Sequence, residues 1–424
     1  MITLHPSSIR GEVWIPSSKS QTIRALLIAF FSHGTSIIRN PLISADTQSC
    51  ISVLETLGAS IEYRDNTLHV DSSSITLTED DEITLDCGNS GTTTYLLYGL
   101  LGKLPFRKII LTGDDQMRRR PVKPLVDAYN DLGMNASCTA EGTPPVEITG
   151  HLRGGRTSIE CRTSQYLSSL LLSLPLADKD SMVDVPLLYE KPYVSMTLSW
   201  LDRQKIRYRI SSDLQHLEVE GKQHYTAFDE TITGDFSSAS FFFTAAALTG
   251  CTLALRGLDM NDSQGDKGVL DILSAMGCTV SHSENAITVK GPSQLKGGTF
   301  DINAMPDSLP TLSILGAVTD SPLHLTNVKN ARIKETDRIA CMSENLRQLG
   351  LQVDEEEDGM IIHPGPLKGG ITVSGYQDHR IIMAMAILSL IIDGGLTIDD
   401  EKAAQVTFPT FFTLLDSVKK EKDK

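Results

Sequence analysis

Basic residues are in short supply in this chain. It carries 38 lysines and arginines against 53 aspartates and glutamates, a net charge of −15. A phosphodiester backbone is met by extended basic surfaces, so this balance argues against a nucleic-acid partner. It does not argue against a small anion, which a local cationic cluster can hold. Cysteine is sparse and unpatterned: the seven residues, Cys50, Cys87, Cys138, Cys161, Cys251, Cys278 and Cys341, are odd in number and form no Cys-x-x-Cys pair. That gives no zinc signal and fits reduced thiols in a cytoplasmic compartment. The ten histidines have no His-x-x-x-His spacing, so no metal is expected. No Walker-type loop or dinucleotide fingerprint occurs, which speaks against nucleotide chemistry and leaves no cofactor indicated. The longest apolar runs, such as Ile381 to Ile392, are too short to span a bilayer, and Met1 to Pro6 lacks the charged-then-apolar order of a secretory leader. No membrane association is expected. With 424 residues, 40% hydrophobic and 21% charged, the composition is that of a globular protein of two or three domains. The lysine-rich tail after Val418 reads as a frayed end.

What is present is a repeat. Six times a short polar tip opens a run of apolar residues at helical spacing. The tips are Ser17 to Arg24, Gly88 to Thr93, Arg162 to Leu167, Gly234 to Ala239, Met305 to Pro310 and Gln377 to Ile382. Their marker residues Lys19, Asn89, Ser164, Ser237, Asp307 and His379 recur about every 70–75 residues, the mark of a repeated structural unit. The apolar runs behind them, among them Ala25 to Phe31 and Phe241 to Ala247, are hydrophobic on most faces and belong inside a core. A helix start, however, presents unpaired N–H groups and a positive dipole end, so the tips are places to bind anions.

A second repeated element lies between the tips. Leu57-Gly58, Leu132-Gly133, Met276-Gly277 and Leu349-Gly350, with a weaker copy at Lys205-Ile206, each end a helical pattern and precede one or two short alternating segments. Glycine after the last apolar turn is a helix stop, and alternation fits half-buried strands. The unit therefore reads β-α-β-α-β-β, roughly 70 residues long, and six of them suit two domains of three units each.

The residues with chemical potential cluster at or near the tips. Ser20 and Arg24 lie one helical turn apart, and with Lys19 they suit a carboxylate or phosphate; a capped helix start with surface charges is the plainer reading. Gly91, after Asn89 and Ser90, permits close backbone approach. Arg118-Arg119-Arg120-Pro121 is a local basic cluster, either a solvated face or one arginine presented by a stiff chain. Thr163, Ser164 and Gln165 offer two hydroxyls and an amide, whereas Tyr193 alone reads as core. Lys334-Glu335-Thr336-Asp337-Arg338 is the sharpest motif. If it is helical, Lys334 and Arg338 share a face with Glu335 between them, a catalytic set or an exposed helix laced with salt bridges. Asp307 is a good N-cap. Arg380 suits an oxyanion, with His379 beside it to orient it. The tip from Gly234 reads as structural.

Taken in order and spacing, these motifs resemble those of the 5-enolpyruvylshikimate-3-phosphate synthase family of enolpyruvyl transferases, over essentially the whole chain. They are Ser18-Lys19-Ser20-x-x-x-Arg24-Ala25, Gly88 to Thr92, Arg120-Pro121, Ser164-Gln165, Lys191-Pro192-Tyr193, Pro306-Asp307, Lys334 to Arg338 and Asp378-His379-Arg380. The resemblance implies an α/β (α+β) fold, a two-domain inside-out barrel of six β-α-β-α-β-β repeats, three per domain, with the active site in the interdomain cleft. The chain crosses near Ser18 and Gly234, giving domains 19–234 and 1–18 plus 235–424. The implied reaction transfers the enolpyruvyl group of phosphoenolpyruvate to the 5-hydroxyl of shikimate 3-phosphate and releases phosphate, in a cytoplasmic monomer without cofactor.

Carried over by motif, Lys19, Ser20, Arg24, Thr163, Ser164, Gln165, Tyr193, Asp307, Asn330 and Lys334 would bind shikimate 3-phosphate. Lys19, Asn89, Gly91, Thr92, Arg120, Gln165, Arg338, His379 and Arg380 would bind phosphoenolpyruvate. Asp307 and Glu335 would be the acid/base pair, with Lys334 bridging the reacting hydroxyl and the leaving phosphate. Gly91 and Thr92 match the pattern of glyphosate-sensitive members. The chain also departs from the family. Thr163 stands where serine is usual, Glu190 where many members have a phosphate-binding serine, Tyr95 where arginine is common, and Val406 where some members have lysine. The sister transferase acting on UDP-N-acetylglucosamine is the nearest rival. Lys19-Ser20, where that family has Lys-Asn, and Asp115, where it has cysteine, count against it. A non-catalytic repeat scaffold would have no reason to concentrate charged residues at the tips.

Overall fold

Every apolar run behind a polar tip folds as a helix buried along nearly its whole length. In the computed structural model, which describes residues 1–75 and 82–420, these helices are Lys19–Phe31, Gly91–Leu101, Ser164–Ser173, Phe236–Thr249, Leu309–Ser313 and His379–Leu388. The fifth is the shortest and is flanked by 3-10 turns at Pro306–Ser308 and Ile314–Val318. Pro306 and Pro310 remove two backbone donors from this run, and proline is accommodated only in a helix's first turn. Four of the six starts have a local cause: Ser18, Ser90, Thr163 and Asp378 occupy the N-cap and accept a hydrogen bond from a backbone N–H of the first turn.

Among the described residues the strands form five four-stranded sheets and one three-stranded sheet, besides a two-stranded ribbon. All five larger sheets share one plan. Two parallel strands belong to each apolar helix, flanking it in sequence in three of the five; a one-sided outer helix follows, and two further strands return antiparallel, with the last lying between the second and third. Residues 82–148 illustrate it: Glu82–Asp86 pairs parallel with Lys108–Thr112, which pairs antiparallel with Val146–Ile148, which pairs with Ala136–Ser137.

Three repeats are not contiguous in sequence: the N-terminal strands join the C-terminal half, in line with the expected crossings, whereas the place of Asp229–Thr231 corrects the expected run of contiguous 70-residue units. The first strand of the first repeat is Asp229–Thr231, parallel to Thr35–Arg39. That of the fourth is Gly11–Trp14, parallel to Thr252–Arg256. The sixth repeat has only three strands, its last supplied by Ile2–Leu4 against Leu396–Ile398. These exchanges define two compact units, residues 1–16 with 233–424, and residues 17–232. Each has its own hydrophobic core built around its three apolar helices.

The helix stops behave as the sequence implies. Gly58, Gly133, Gly277 and Gly350 all take φ of 93–100°, and Lys205 holds the equivalent position at φ 57° without glycine's freedom. The frayed end expected after Val418 is corrected in part: Lys419–Lys420 pairs antiparallel with Ser8–Ile9, which ties them down, and 421–424 lie outside the described residues. Among the described residues no helix is long and apolar enough to cross a membrane, and all seven cysteines are free thiols.

Candidate active site

In the unit of residues 17–232 three helix starts carry the expected residues. Lys19 opens the first helix, and its Nζ lies 2.9 Å from Oδ2 of Asp46, itself in the first turn of the helix Ala45–Thr56. Ser20 is half-buried. Arg24 is buried, and its guanidinium donates from Nε to Oγ1 of Thr197 (2.9 Å), from Nη1 to the Ser20 carbonyl (3.0 Å) and from Nη2 to the Tyr193 carbonyl (3.2 Å). It ties the Lys19 helix to the helix Lys191–Arg203 and fixes the backbone from which the half-buried Tyr193 projects.

At the second start, Asn89, Gly91, Thr92, Arg120 and Gln165 form one connected set. Arg120 Nη2 donates to Asn89 Oδ1 at 3.4 Å, while Asn89 Nδ2 donates to Asp114 and Gln116. A Cβ on Gly91 would lie 2.4 Å from Arg120 Nη1, so only glycine admits the guanidinium there. Gln165 Nε2 donates to Thr92 Oγ1 at 3.3 Å, linking the second and third starts. The backbone just after Arg120 is clamped: Tyr95 and Tyr166 both donate their hydroxyls to the Pro121 carbonyl, at 2.9 and 2.7 Å. Tyr95, in the position where arginine is common, thus holds the chain that presents Arg120.

The third start is already engaged by a carboxylate. Oε2 of Glu190 accepts from the Ser164 backbone N–H (3.0 Å), from Ser164 Oγ (2.7 Å) and from Thr163 Oγ1 (3.3 Å). Glu190 is 2% exposed and takes a left-handed φ of 57°.

In the unit of residues 1–16 and 233–424 the remaining candidates form a single charged cluster. Asp307 is no N-cap, which corrects that expectation. It lies within a 3-10 turn, and its carboxylate faces Arg338 Nη1 (2.9 Å), Arg380 Nη2 (2.9 Å) and Lys334 Nζ (3.9 Å). Burial raises the pKa of this carboxyl, but the charges of Arg380, Lys334 and Arg338 outweigh that and hold it well below the ordinary carboxylate range. Arg338 is enclosed: besides Asp307 it pairs with Glu335, and its Nε donates to Oδ2 of the fully buried Asp378 at 2.8 Å. Despite burial, these three carboxylates raise its pKa further.

The segment 334–338 is not one helix, so the condition for Lys334 and Arg338 to share a helical face is not met. Asp337 caps the helix Arg338–Gln348 by accepting from the Ala340 N–H at 3.0 Å, and this stops the helix short of Lys334. Lys334 and Glu335 lie on irregular backbone and still converge on Asp307 and Arg338. Asn330 is buried in the turn Lys329–Ile333 just upstream. Asp378 caps the sixth helix through the Arg380 N–H (2.9 Å) while also accepting from Thr336 Oγ1 (3.1 Å). His379 is buried beside it, and burial pushes its pKa down to about 3, so it is neutral at physiological pH.

Three participants, Asp46, Asp114 and Gln264, carry no motif in the sequence, and Asp378 stands there only as a member of Asp378-His379-Arg380. Gln264 completes the fourth tip, accepting from the Phe236 N–H (2.8 Å) and donating to the Gly234 carbonyl (2.9 Å). Two backbone groups of that tip are thus met by a protein side chain.

The arrangement is one of cations and hydroxyls at helix starts in one unit, and of paired carboxylates and cations in the other. Comparison with known proteins follows the same line. The model of the family EPSP synthase (3-phosphoshikimate 1-carboxyvinyltransferase) matches residues 4–415. The 3-phosphoshikimate 1-carboxyvinyltransferase of Ruminiclostridium cellulolyticum is 42% identical over 420 residues, covering 99% of this chain and 97% of that protein. Its counterpart in Acetivibrio thermocellus is 43% identical over 417 residues, covering 98% and 97%. Among solved structures, an EPSP synthase from Acinetobacter baumannii is similar with a TM-score of 0.80 and 26% identity, covering 99% of this chain and 97% of that one. Repeat, site motifs and whole-length similarity agree, and this chain belongs to the EPSP synthase family.

Proposed function

We propose that the protein transfers the enolpyruvyl group of phosphoenolpyruvate to the 5-hydroxyl of shikimate 3-phosphate and releases phosphate. The observation that carries this reading is the cluster in which Asp307 meets Lys334, Arg338 and Arg380 beside Glu335. Both substrates are polyanions, and a protein of net charge −15 needs such local concentrations of cations to hold them.

In the first step the 5-hydroxyl oxygen bonds to C2 of phosphoenolpyruvate, its proton leaves, and a proton is added to the C3 methylene, giving a tetrahedral intermediate. In the second step the C2–O bond to phosphate breaks and a proton returns from the new methyl group. Asp307, held ionised by its cations, suits removal of the hydroxyl proton. Glu335 serves the carbon-bound proton, and Lys334 neutralises charge between the reacting hydroxyl and the departing phosphate. Arg338, enclosed by carboxylates, orders the acid/base groups, while Arg380, His379, Arg120, Lys19, Asn89, Thr92 and Gln165 surround phosphoenolpyruvate, with Gly91 leaving room. Ser20, Arg24, Tyr193, Thr163, Ser164 and Asn330 form the seat of shikimate 3-phosphate. The seven free thiols support a reducing, cytoplasmic setting, and a monomer suffices for this residue set.

A phosphate-release assay with both substrates tests the reading. Turnover should require both, and Asp307→Asn and Glu335→Gln should abolish it while shikimate 3-phosphate still raises the melting temperature. Stabilisation by UDP-N-acetylglucosamine instead would overturn it.

A further inference from the structure

Glu190 stands on the seat that the proposed function gives to the substrate's phosphate. Three donors, the Ser164 N–H, Ser164 Oγ and Thr163 Oγ1, converge on one oxygen of its carboxylate at 2.7–3.3 Å. They are the hydroxyl pair and the first backbone donor of a helix start, a set that suits a phosphate oxygen equally well. The anion seated there comes from the chain itself, and it is 2% exposed.

We infer that Glu190 is a built-in competitor for the phosphate seat, so that shikimate 3-phosphate must evict its carboxylate in order to bind. The inference rests on the proposed function and deepens it. Two anions on one set of donors repel strongly, because the site is buried and poorly screened. Eviction is a side-chain movement. The backbone on either side is fixed by the Tyr189 N–H on the Cys161 carbonyl (3.1 Å) and by the Glu190 carbonyl accepting from the Tyr193 N–H (3.0 Å). The left-handed conformation of Glu190, uncommon for a residue with a long side chain, aims the carboxyl back at the start of the Ser164 helix. Glu190 thereby sets the affinity for the phosphate group of the substrate without touching the reacting atoms. It acts as a determinant of affinity and specificity, not as a catalytic residue.

Calorimetric titration of the full-length protein tests this, with shikimate 3-phosphate as one ligand and unphosphorylated shikimate as the other. Glu190→Gln keeps the shape and one acceptor for the Ser164 N–H, and Glu190→Ser frees the seat entirely; melting temperatures establish that each variant is folded. The dissociation constant for shikimate 3-phosphate should fall at least about tenfold in both variants, as expected when a buried like charge is removed. That for shikimate should not change. Should the serine variant fail to fold, the isosteric glutamine variant carries the test. If the wild-type protein binds and turns over shikimate 3-phosphate but neither variant binds it more tightly, or if both ligands tighten alike, the inference falls alone. If no version binds shikimate 3-phosphate, the substrate reading falls and takes the inference with it.

Discussion

Replacing Asp378 with alanine should destabilise one unit and not the other, by an amount that the hydrogen bonds set. The carboxylate is fully buried and accepts from Arg338 Nε and Nη2, Thr336 Oγ1 and the Arg380 N–H. Alanine removes all four acceptor contacts. Arg338 keeps Asp307 and Glu335 on its Nη atoms, so its charge remains partly compensated, but Nε, whose partner was Asp378, loses a charge-assisted bond worth about 1.5–3 kcal/mol. Loss of the helix cap adds about 1 kcal/mol. The sum is about 2.5–4 kcal/mol. With a urea dependence of about 3 kcal/mol per molar, the midpoint should move down by about 1 M.

The two tryptophans make the assay specific. Trp200 is 1% exposed in the unit of residues 17–232, whereas Trp14, in the other unit, is 66% exposed and changes little on unfolding. Tryptophan fluorescence therefore follows the unit without Asp378, and far-ultraviolet circular dichroism follows both. The dichroism transition should acquire an early component that fluorescence lacks. Asp378→Asn, which keeps one acceptor oxygen, should lose about half as much stability. A dichroism midpoint within about 0.3 M of wild type for Asp378→Ala would refute the claim that this carboxylate supports the cluster, since that shift corresponds to about 1 kcal/mol.

Three further outcomes follow from the geometry. The His379 pKa is lowered to about 3 by burial, against about 6.5 in the unfolded chain, so between these values the unfolded state binds the extra proton and stability falls as pH falls. Denaturation at pH 6.5 and 4.5 should show wild type losing about 2 kcal/mol more than His379→Gln; equal losses would contradict a neutral, buried imidazole. Gly91→Ala places a Cβ 2.4 Å from Arg120 Nη1 and must push the guanidinium aside, so the KM for phosphoenolpyruvate should rise about tenfold or more, with shikimate 3-phosphate affinity little changed. An unaltered KM would remove Arg120 from the phosphoenolpyruvate set. Lys205→Gly should stabilise the protein by up to about 1 kcal/mol, because an exposed lysine at φ 57° gives way to the residue that the four equivalent helix ends use; no gain in the fluorescence-detected midpoint would count against strain at that position.

The fold was legible wherever burial leaves a pattern. The six apolar helices and the glycine stops at Gly58, Gly133, Gly277 and Gly350 declare themselves because composition and φ requirement are local. Asp229–Thr231 escaped because it is a three-residue edge strand with two exposed side chains and no alternation to detect. Its identity depends on Thr35–Arg39, nearly two hundred residues away. The candidate site was legible as a list of residue types, and less so as roles. Asp307 at a helix start reads as a cap, since nothing local says that Arg338 and Arg380 will claim its carboxylate. The motif 334–338 reads as helical, since charge spacing cannot reveal that Asp337 is a stop. Gln264 and Asp46 are side chains whose importance arises from what a distant loop or helix places beside them.

The N-terminal strands that pair within the C-terminal half make the unit of residues 17–232 an insertion within the other. Its point of entry is narrow: the Pro16 carbonyl accepts a hydrogen bond of 2.9 Å from the Asp235 N–H, so the host chain leaves and resumes at nearly one place. The inserted unit holds all its strands between residues 35 and 231 and is complete before the rest of the chain exists. The host must keep Gly11–Trp14 unpaired until Thr252–Arg256 is made. During synthesis Gly11–Trp14 thus waits for the whole inserted unit to be made, and Ile2–Leu4 and Ser8–Ile9, which pair near the other end of the chain, wait longer still. Replacing residues 17–232 by a short turn would relieve that wait, leaving a host whose strands all come from a single contiguous stretch.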